Sequence, residues 1–235
     1  MSVSTNGQVR ANSLTATISS STTGRAVFGC HLFLPTGMTL GSVTAWMSIT
    51  STSTNARAYC NSARTHFTRF NDGTDQSNNT GFTLPFDTWT PVLCLIGPFD
   101  GGSTGTNIGW QNGSKNTDND STNSVSETFT QIRVGAEDSN ANDISSFSDG
   151  SIAEAFFVGG ISEANADTIA SEMITLTPDA FSISVDNYWP LLSNGTASIG
   201  GNDLSSGGSP VFDSGNHPSL SGGGGGAAPP IIIFL

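Results

Sequence analysis

Short apolar or alternating runs, separated by polar segments, are the main pattern of the chain. Runs of this length bounded by Gly, Pro, Asn and Asp predict β-strands. The strands predicted in this way cover residues 13–18, 26–34, 42–49, 56–61, 65–70, 89–96, 107–111, 129–135, 152–158 and 188–192. Within residues 42–49, the alternation places Val43, Ala45, Met47 and Ile49 on one face and Trp46 on the other. Many short strands joined by turns predict a β-sandwich or jelly roll.

Three long segments rich in Asn, Asp, Ser and Thr are predicted to be loops, and two dipeptides mark tight turns. The loops cover residues 72–81, 114–126 and 137–149. The dipeptides Asn112-Gly113 and Asp149-Gly150 are typical of β-hairpin turns.

One helix is predicted, from Ser162 to Met173. Ser162 is expected to cap its first turn, where the helix dipole also favours Glu163. Ile161, Ala164, Ile169 and Met173 form its apolar stripe, and we expect the helix to close one edge of the sandwich.

Composition narrows the class of protein. Only 11% of residues are charged and 35% are hydrophobic, so Ser, Thr, Asn and Gly must cover most of the surface, as in a globular β domain. The net charge of −12 argues against nucleic-acid binding, and the six arginines are scattered along the sequence, with only Arg64 and Arg69 close together. No apolar run approaches the ~20 residues of a membrane-spanning helix, and no signal peptide is recognisable, so we expect synthesis in the cytoplasm without membrane insertion.

Four motifs in a fixed order point to a family. They are the segment 149–192, with its DGSIAE strand, short helix and YWPLL strand, and the upstream segments 89–92 (WTPV), 110–113 (WQNG) and 131–135 (QIRVG). In this order they resemble the concanavalin A-like, laminin G-like jelly rolls of phage and prophage virion proteins, over residues 10–220. The aromatic residue that usually follows IAE in that family is Ala155 here.

The resemblance implies an all-β jelly-roll sandwich with one short helix and extended termini. It also implies a virion structural protein of the capsid decoration, cement or fibre type, made in the host cytoplasm. Such a protein binds other copies of itself and capsid or tail proteins. The alternative is a lectin-like adhesin that binds host surface glycans, with or without calcium.

The chain divides into three predicted regions. Residues 1–12 form a polar N-terminal arm, residues 13–220 the sandwich, and residues 221–235 a glycine-rich linker and an apolar tail. The tail residues Ile231, Ile232, Ile233, Phe234 and Leu235 are expected to dock on a neighbouring subunit or capsid partner. The alternative prediction is that the tail folds back onto its own domain.

Motifs for catalysis are absent from the sequence. It has no His-Glu-x-x-His pattern, no Gly-x-Ser-x-Gly elbow and no Glu-x-Asp-x-x-Glu-like run, so we predict that the protein is not an enzyme. Glu154 is a lone carboxylate, which we expect to bond to the backbone or to Arg133. Cys30, Cys60 and Cys94 are odd in number, and we expect them to be small buried hydrophobes.

Two kinds of ligand site remain open. Asp138, Asn140 and Asn142 alternate as oxygen ligands for calcium, although the glycine of the EF-hand loop is missing, and residues 118–120 are a second candidate. No other cofactor is predicted. Trp46 and Trp110 are candidates for stacking on a sugar, although a tryptophan in a sandwich belongs more often to the core.

Overall fold

A computed structural model describes most of the chain. The described residues are 14–18, 24–41, 43–51, 55–71, 75–98, 104–116, 120–122, 128–135, 145–146, 150–191, 196–206, 211–213, 218–222 and 231–233. The predicted N-terminal arm therefore lies outside the described residues.

Seventeen strands, one α-helix and one turn of 3₁₀-helix make up the described fold. The helix α1 spans Glu163–Glu172, and the 3₁₀ turn spans Pro178–Ala180. In chain order the strands are β1 (Leu14–Thr17), β2 (Ala26–Phe33), β3 (Thr44–Thr50), β4 (Asn55–Cys60), β5 (Thr65–Asn71), β6 (Asp75–Thr83), β7 (Thr90–Gly97), β8 (Thr104–Gln111), β9 (Ser114–Lys115), β10 (Asp120–Thr122), β11 (Gln131–Val134), β12 (Ser145–Ser146), β13 (Ser151–Gly159), β14 (Asn187–Trp189), β15 (Ser205–Ser206), β16 (Val211–Asp213) and β17 (Ile231–Ile233).

The strands form two sheets that pack face to face. The first sheet has the order β15-β1-β11-β3-β4-β5-β6, with β12 beside β3. The second has the order β10-β8-β7-β2-β13-β17-β16, with β14 beside β13 and β9 beside β8. All pairings between these described strands are antiparallel except that of β12 with β3. One apolar core fills the space between the sheets and includes Phe28, Phe70, Phe129, Phe157 and Trp189. The predicted all-β sandwich with one short helix is confirmed.

Helix α1 lies over the outer face of the second sheet, where it forms a third layer with the segment that follows it. A second apolar cluster joins the two layers and contains Leu93, Leu95 and Phe156 from the sheet. The helix starts as predicted, because the Ser162 side chain accepts a hydrogen bond from the backbone N–H of Asn165 at 3.2 Å. The expectation that it closes a sheet edge is wrong.

The buried face of α1 also differs from the predicted stripe. Ile161, Ile169 and Met173 are buried as expected, but Ala164 is exposed. Ala166 and Ala170 are buried in its place. Their small side chains allow the helix to approach the sheet closely. A prediction based on large apolar residues misses these buried alanines. No helix among the described residues is long and apolar enough to cross a membrane.

Strand β3 contains a bulge that the alternation did not predict. The pairing of β3 with β4 shifts register between Ala45 and Met47, so Trp46 is the extra residue. Trp46, Met47 and Ile49 all belong to the core between the sheets. The predicted separation of Trp46 from Met47 and Ile49 is therefore wrong, because a bulge interrupts the two-residue period.

All three predicted loops contain strand residues, and β12 (Ser145–Ser146) lies within the third of them, residues 137–149. Residues 75–83 form β6 at the edge of the first sheet, and Ser114–Lys115 and Asp120–Thr122 pair with β8. The inward-facing polar side chains of β6 are tolerated because they are hydrogen-bonded. Asn78 donates to the Asn107 carbonyl at 2.7 Å, and Thr80 donates to the His66 carbonyl at 2.7 Å. The Asn112-Gly113 hairpin turn is confirmed, with φ of 49° and 72° at its two residues.

Candidate functional site

The predicted calcium ligands Asp138, Asn140 and Asn142 lie outside the described residues. Of the second candidate segment only Asp120 is described, in β10. Within the described ranges, no group of three His, Cys, Asp or Glu side chains could hold a metal ion. The calcium site therefore stays a prediction.

Both tryptophans considered for sugar stacking are buried. Trp46 lies in the core between the sheets, and Trp110 lies in the cluster beneath α1. The indole N–H of Trp110 donates to Asp167 Oδ1 at 3.0 Å, which ties β8 to the helix. Lys115 forms an ion pair with Glu163 and lies 5.6 Å from the centre of the Trp110 ring. These contacts hold the helix against the sheet and leave neither ring face for a ligand.

Glu154 is part of a buried polar cluster between the second sheet and the helix layer. It sits at a register shift between β13 and β2 and has a φ of 56°. Tyr188 donates its hydroxyl hydrogen bond to Glu154. Burial, together with the negative charge and hydrogen bond of Glu154, raises the Tyr188 pKa far above its usual range. The sequence suggested Arg133 as a partner for Glu154, but Arg133 belongs to the first sheet.

His31 lies opposite Ala153 across the same pair of strands, and its Nε2 is 2.8 Å from the Met173 carbonyl oxygen. The arrangement ties the end of α1 to the sheet. Both His31 and Glu154 are almost fully buried, at 2% and 1% exposure. We assign the cluster a structural role.

The three cysteines are buried free thiols. Burial raises the pKa of Cys60 to about 12 and raises the pKa of Cys30 and Cys94 well above the ordinary value. Raised pKa values keep the thiols protonated and unreactive, since the thiolate is the nucleophile.

The tail forms the strand β17 within the chain's own second sheet. Ser151 and Ile152 of β13 pair with Ile233 and Ile232, and β16 pairs with all three residues of β17. Phe234 and Leu235 lie outside the described residues. In this structure the tail folds back on its own domain, and docking on a neighbour stays a prediction.

The pairing between β13 and the tail strand β17 is short. One side of β13 is paired with β2 over most of its length. The other side is shared between β14, which pairs with residues 155–157, and β17, which pairs with residues 151–152. Two register pairs provide few hydrogen bonds to β13. The edge of β13 at residues 151–152 is therefore paired by a strand that is distant in the sequence.

The outer face of the first sheet contains a feature that the sequence did not reveal. Pairing registers place Arg133, Arg57 and Arg69 in one row across β11, β4 and β5. The full row, from edge to edge, is Ser205, Thr15, Arg133, Ser48, Arg57, Arg69 and Ser77. Arg57 and Arg69 are direct cross-strand neighbours, about 5 Å apart at Cα, and Arg133 is two strands from Arg57, about 10 Å away. The arginines are scattered along the sequence, but three of them align in the sheet.

The local sequences explain why these arginines face outwards. In β4, Ala56 and Ala58 on either side of Arg57 both belong to the core. Ile132 and Val134 flank Arg133 in the same way. Alternation could thus have placed each arginine on the outer face, but the pairing registers that align them depend on turns and bulges between distant strands.

Rows of different chemistry flank the arginine row. On one side, Tyr59 and Phe67 are cross-strand partners with stacked rings, 5.0 Å between centroids and 8° between planes. The Arg57 guanidinium lies 5.2 Å from the Tyr59 ring centre. On the other side the row is Thr17, Gln131, Thr50, Asn55, Asn71 and Asp75. We call these three rows together the arginine face.

Comparison with known proteins identifies the fold. No protein-family model and no curated protein matches the sequence. Among solved structures, the chain is similar to the LG4-5 domains of the mouse laminin alpha1 chain, with a TM-score of 0.50 and 11% identity, over 65% of this chain and 40% of that chain. It is also similar to a SAP-like pentraxin from Limulus polyphemus, with a TM-score of 0.45 and 13% identity, over 69% and 83% of the two chains. A bacteriophage CBA120 tailspike domain has a TM-score of 0.47 and 15% identity, over 75% and 28%.

At these identities the likeness concerns the fold alone. The chain has the laminin G-like, concanavalin A-like jelly-roll fold that the motifs predicted. It spans about two fifths of the laminin chain that it resembles.

Proposed function

We propose that this protein is a non-enzymatic structural subunit of a larger particle, such as a phage virion, and that copies are joined by exchange of the tail strand. The observation that carries the proposal is the pairing of β17 with Ser151 and Ile152 of β13. Because a fold by itself does not determine function, the argument rests on this sheet edge.

The same pairing forms equally well within one chain or between two. A neighbouring copy offers the identical edge of β13, so each backbone hydrogen bond lost in one chain is regained in the other. The sequence SGGGGG at residues 221–226, between the sandwich and the strand, is of the composition typical of flexible linkers. The choice between the two arrangements therefore depends mainly on effective concentration.

Effective concentration predicts when exchange occurs. A short flexible linker holds its own strand at an effective concentration of about 1 mM. In dilute solution the chain's own strand wins, whereas in a particle that displays many copies the neighbouring edges reach comparable local concentrations. We expect a monomer in dilute solution and linked subunits in an assembled particle.

Shortening the linker tests this mechanism. Deleting residues 223–226 shortens the tether to β17, which we expect to disfavour pairing with its own edge relative to the edge of another chain. We expect a dimer or larger oligomer that persists on dilution, measured by light scattering after size-exclusion chromatography. The control combines this deletion with loss of residues 227–235 and should be monomeric. A monomeric linker-deletion variant with an intact fold would contradict strand exchange.

Incorporation into particles tests the assembly role itself. We expect a variant that lacks residues 227–235 to fold but to be lost from purified particles. Unchanged incorporation would overturn the role of the tail.

Recognition of host surface glycans is the second candidate function. The margin of the arginine face favours it, because half-buried Arg69 and Phe67 and exposed Gln131 bring a cation, an aromatic ring and an amide to that surface. A glycan array probed with and without calcium separates the two candidates, since a purely structural subunit should bind nothing on the array.

A further inference from the structure

Two half-buried aromatic residues lie together at one end of the second sheet. Phe33 ends β2 and Trp89 directly precedes β7, and their ring centres are 5.5 Å apart. Neither belongs to the core between the sheets or to the cluster beneath α1, and neither is among the described half-buried residues that pack against them. Both keep part of their surface exposed to solvent. We call Phe33 and Trp89 the aromatic pair.

The aromatic pair lies on the outer face of the sheet, just beyond the end of α1. Side chains alternate between the two faces of a strand, so Phe33 shares the face of His31, two residues earlier. His31 contacts the carbonyl oxygen of Met173, at the end of α1, at 2.8 Å. Helix α1 therefore reaches the row of His31, and Phe33 lies in the next row on this face.

The tail strand β17 reaches the row of Phe33. Ser151 of β13 is the register partner of Phe33 on one side and of Ile233 on the other. Phe33 and Ile233 therefore occupy one row, two strands and about 10 Å apart at Cα. A serine between them is small enough for a phenylalanine ring and a branched apolar side chain to meet above it.

The pairing of β17 with β13 needs support from side chains. Two register pairs join these strands. On its other side β17 pairs with β16, which has no further neighbour among the described strands. So few backbone contacts give marginal stability. Residues 231–235 are all apolar, so the removal of their side chains from water is the main favourable term that the tail can contribute.

We propose that the aromatic pair is the anchor of the tail, and that it packs against the side chains at positions 233 and 235. Position 233 is in the row of Phe33, and position 235 follows on the same face of a continuing strand, whereas position 234 belongs to the opposite face. The inference rests on the proposed function only where the tail comes from a neighbouring copy. Within one chain the same contacts hold the tail in dilute solution.

Hydrogen exchange in the full-length protein tests the anchor. Mass spectrometry of a peptic fragment that contains residues 231–233 gives the exchange rate of the tail strand in dilute solution. Trp89→Ala and Ile233→Ala should each speed this exchange about threefold to thirtyfold, because each removes one side of an apolar contact. The double variant should exchange much more slowly than the product of the two separate effects predicts, since both substitutions remove the same contact.

Two controls make the test specific. Phe82→Ala removes another half-buried phenylalanine outside both clusters, in β6 of the first sheet, and should leave exchange of the tail unchanged. Phe234→Ala should act independently of Trp89→Ala, so their effects should multiply. Unchanged exchange in the fragments that contain β2 and β7 shows that Trp89→Ala keeps its fold. Unchanged exchange of the tail in Trp89→Ala, or effects of Trp89→Ala and Ile233→Ala that multiply, would overturn the anchor.

The anchor and strand exchange between copies can fail separately, because hydrogen exchange is measured on dilute chains that pair with their own tail. If Trp89→Ala and Ile233→Ala are coupled while the linker-deletion variant stays monomeric, the anchor stands and exchange between copies is refuted. If that variant forms oligomers without such coupling, exchange stands and the anchor is refuted.

Discussion

Acid should destabilise this protein through one buried histidine. His66, on the inner face of β5, is fully buried, and neither of its ring nitrogens has a hydrogen-bond partner among the described residues. Its ring lies 5.6 Å from that of Trp46. Removal from water lowers the His66 pKa to about 3, because burial penalises the charged imidazolium.

The sign and size of the effect follow from linkage. The pKa of His66 is about 3 in the folded protein and about 6.5 in the unfolded chain. Between these two pH values His66 is protonated in the unfolded chain and neutral in the folded protein. The free energy of unfolding therefore decreases by about 1.4 kcal/mol for each unit by which the pH is lowered between these two values. Between pH 7 and pH 4.5 the loss amounts to about 2.5 kcal/mol.

The substitution His66→Leu removes this proton-linked loss. Urea unfolding at pH 7 and at pH 4.5, followed by tryptophan fluorescence, gives the free energy of unfolding of each protein. Carboxylates also contribute to acid sensitivity, including Asp87, whose pKa is lowered by hydrogen bonds from Thr36. That contribution is common to both proteins and cancels in the difference. We expect the wild type to lose about 2.5 kcal/mol more than His66→Leu over this range.

Thr68→Val is the matched control, since Thr68 is a buried neighbour on the same strand with no titratable group. It should lose stability with acid in parallel with the wild type. If His66→Leu also follows the wild type in parallel, His66 is solvated or charged in the folded protein and the reasoning is refuted.

Three further substitutions test the packing and the hydrogen bonds described above, each by urea unfolding at pH 7. Gly109→Ala should cost about 1–3 kcal/mol, because its Cβ would lie 2.6 Å from Thr80 Cγ2; adding Thr80→Ser should recover part of the loss, and no recovery would contradict the proposed clash. Ser162→Ala should cost about 1 kcal/mol and Ser162→Gly only a few tenths, since Ser162 caps α1; equal losses would argue against the cap. Tyr188→Phe should cost about 1–3 kcal/mol, because it removes a donor to buried Glu154; an unchanged stability would mean that water replaces the hydroxyl.

The strands that are buried on both faces were predictable from the sequence. Residues 26–34, 89–96 and 152–158 are apolar on both sides because the second sheet is covered by the first sheet on one face and by α1 on the other. Continuous apolar runs of this length are typical of strands buried on both faces. The helix was also predictable, because its cap is a local signal that depends on Ser162 alone.

Features that depend on distant pairing were not predictable. Strand β6 reads as a polar loop, and its inward-facing Asn78 is acceptable only because the Asn107 carbonyl of the opposite sheet accepts its hydrogen bond. Trp46 faces the core because of a bulge, and no neighbouring residue in the sequence indicates that bulge. Composition misses such effects because they arise between residues far apart in the chain.

The arginine face was hidden for the same reason. Arg57 and Arg133 are far apart in sequence, and they align only because β3 pairs with β4 on one side and β11 on the other. The tail strand was recognisable as a sticky apolar segment, but the sequence could not reveal which edge receives it.

Disulfide trapping between two different variants tests the central claim most directly. Ser151 and Ile233 are register partners across β13 and β17, so a cysteine at each position lies within the Cα separation that a disulfide requires. Ser151→Cys and Ile233→Cys chains of different tag length are mixed at high concentration or within assembled particles, oxidised, and separated on a denaturing gel without reductant. Strand exchange predicts a heterodimer that contains one chain of each kind at high concentration or in particles and that is absent when the same chains are mixed in dilute solution. A chain that carries both substitutions is the control, and its internal disulfide shows that the two positions can bond. If the singly substituted chains form no heterodimer at high concentration or in assembled particles, the account is contradicted.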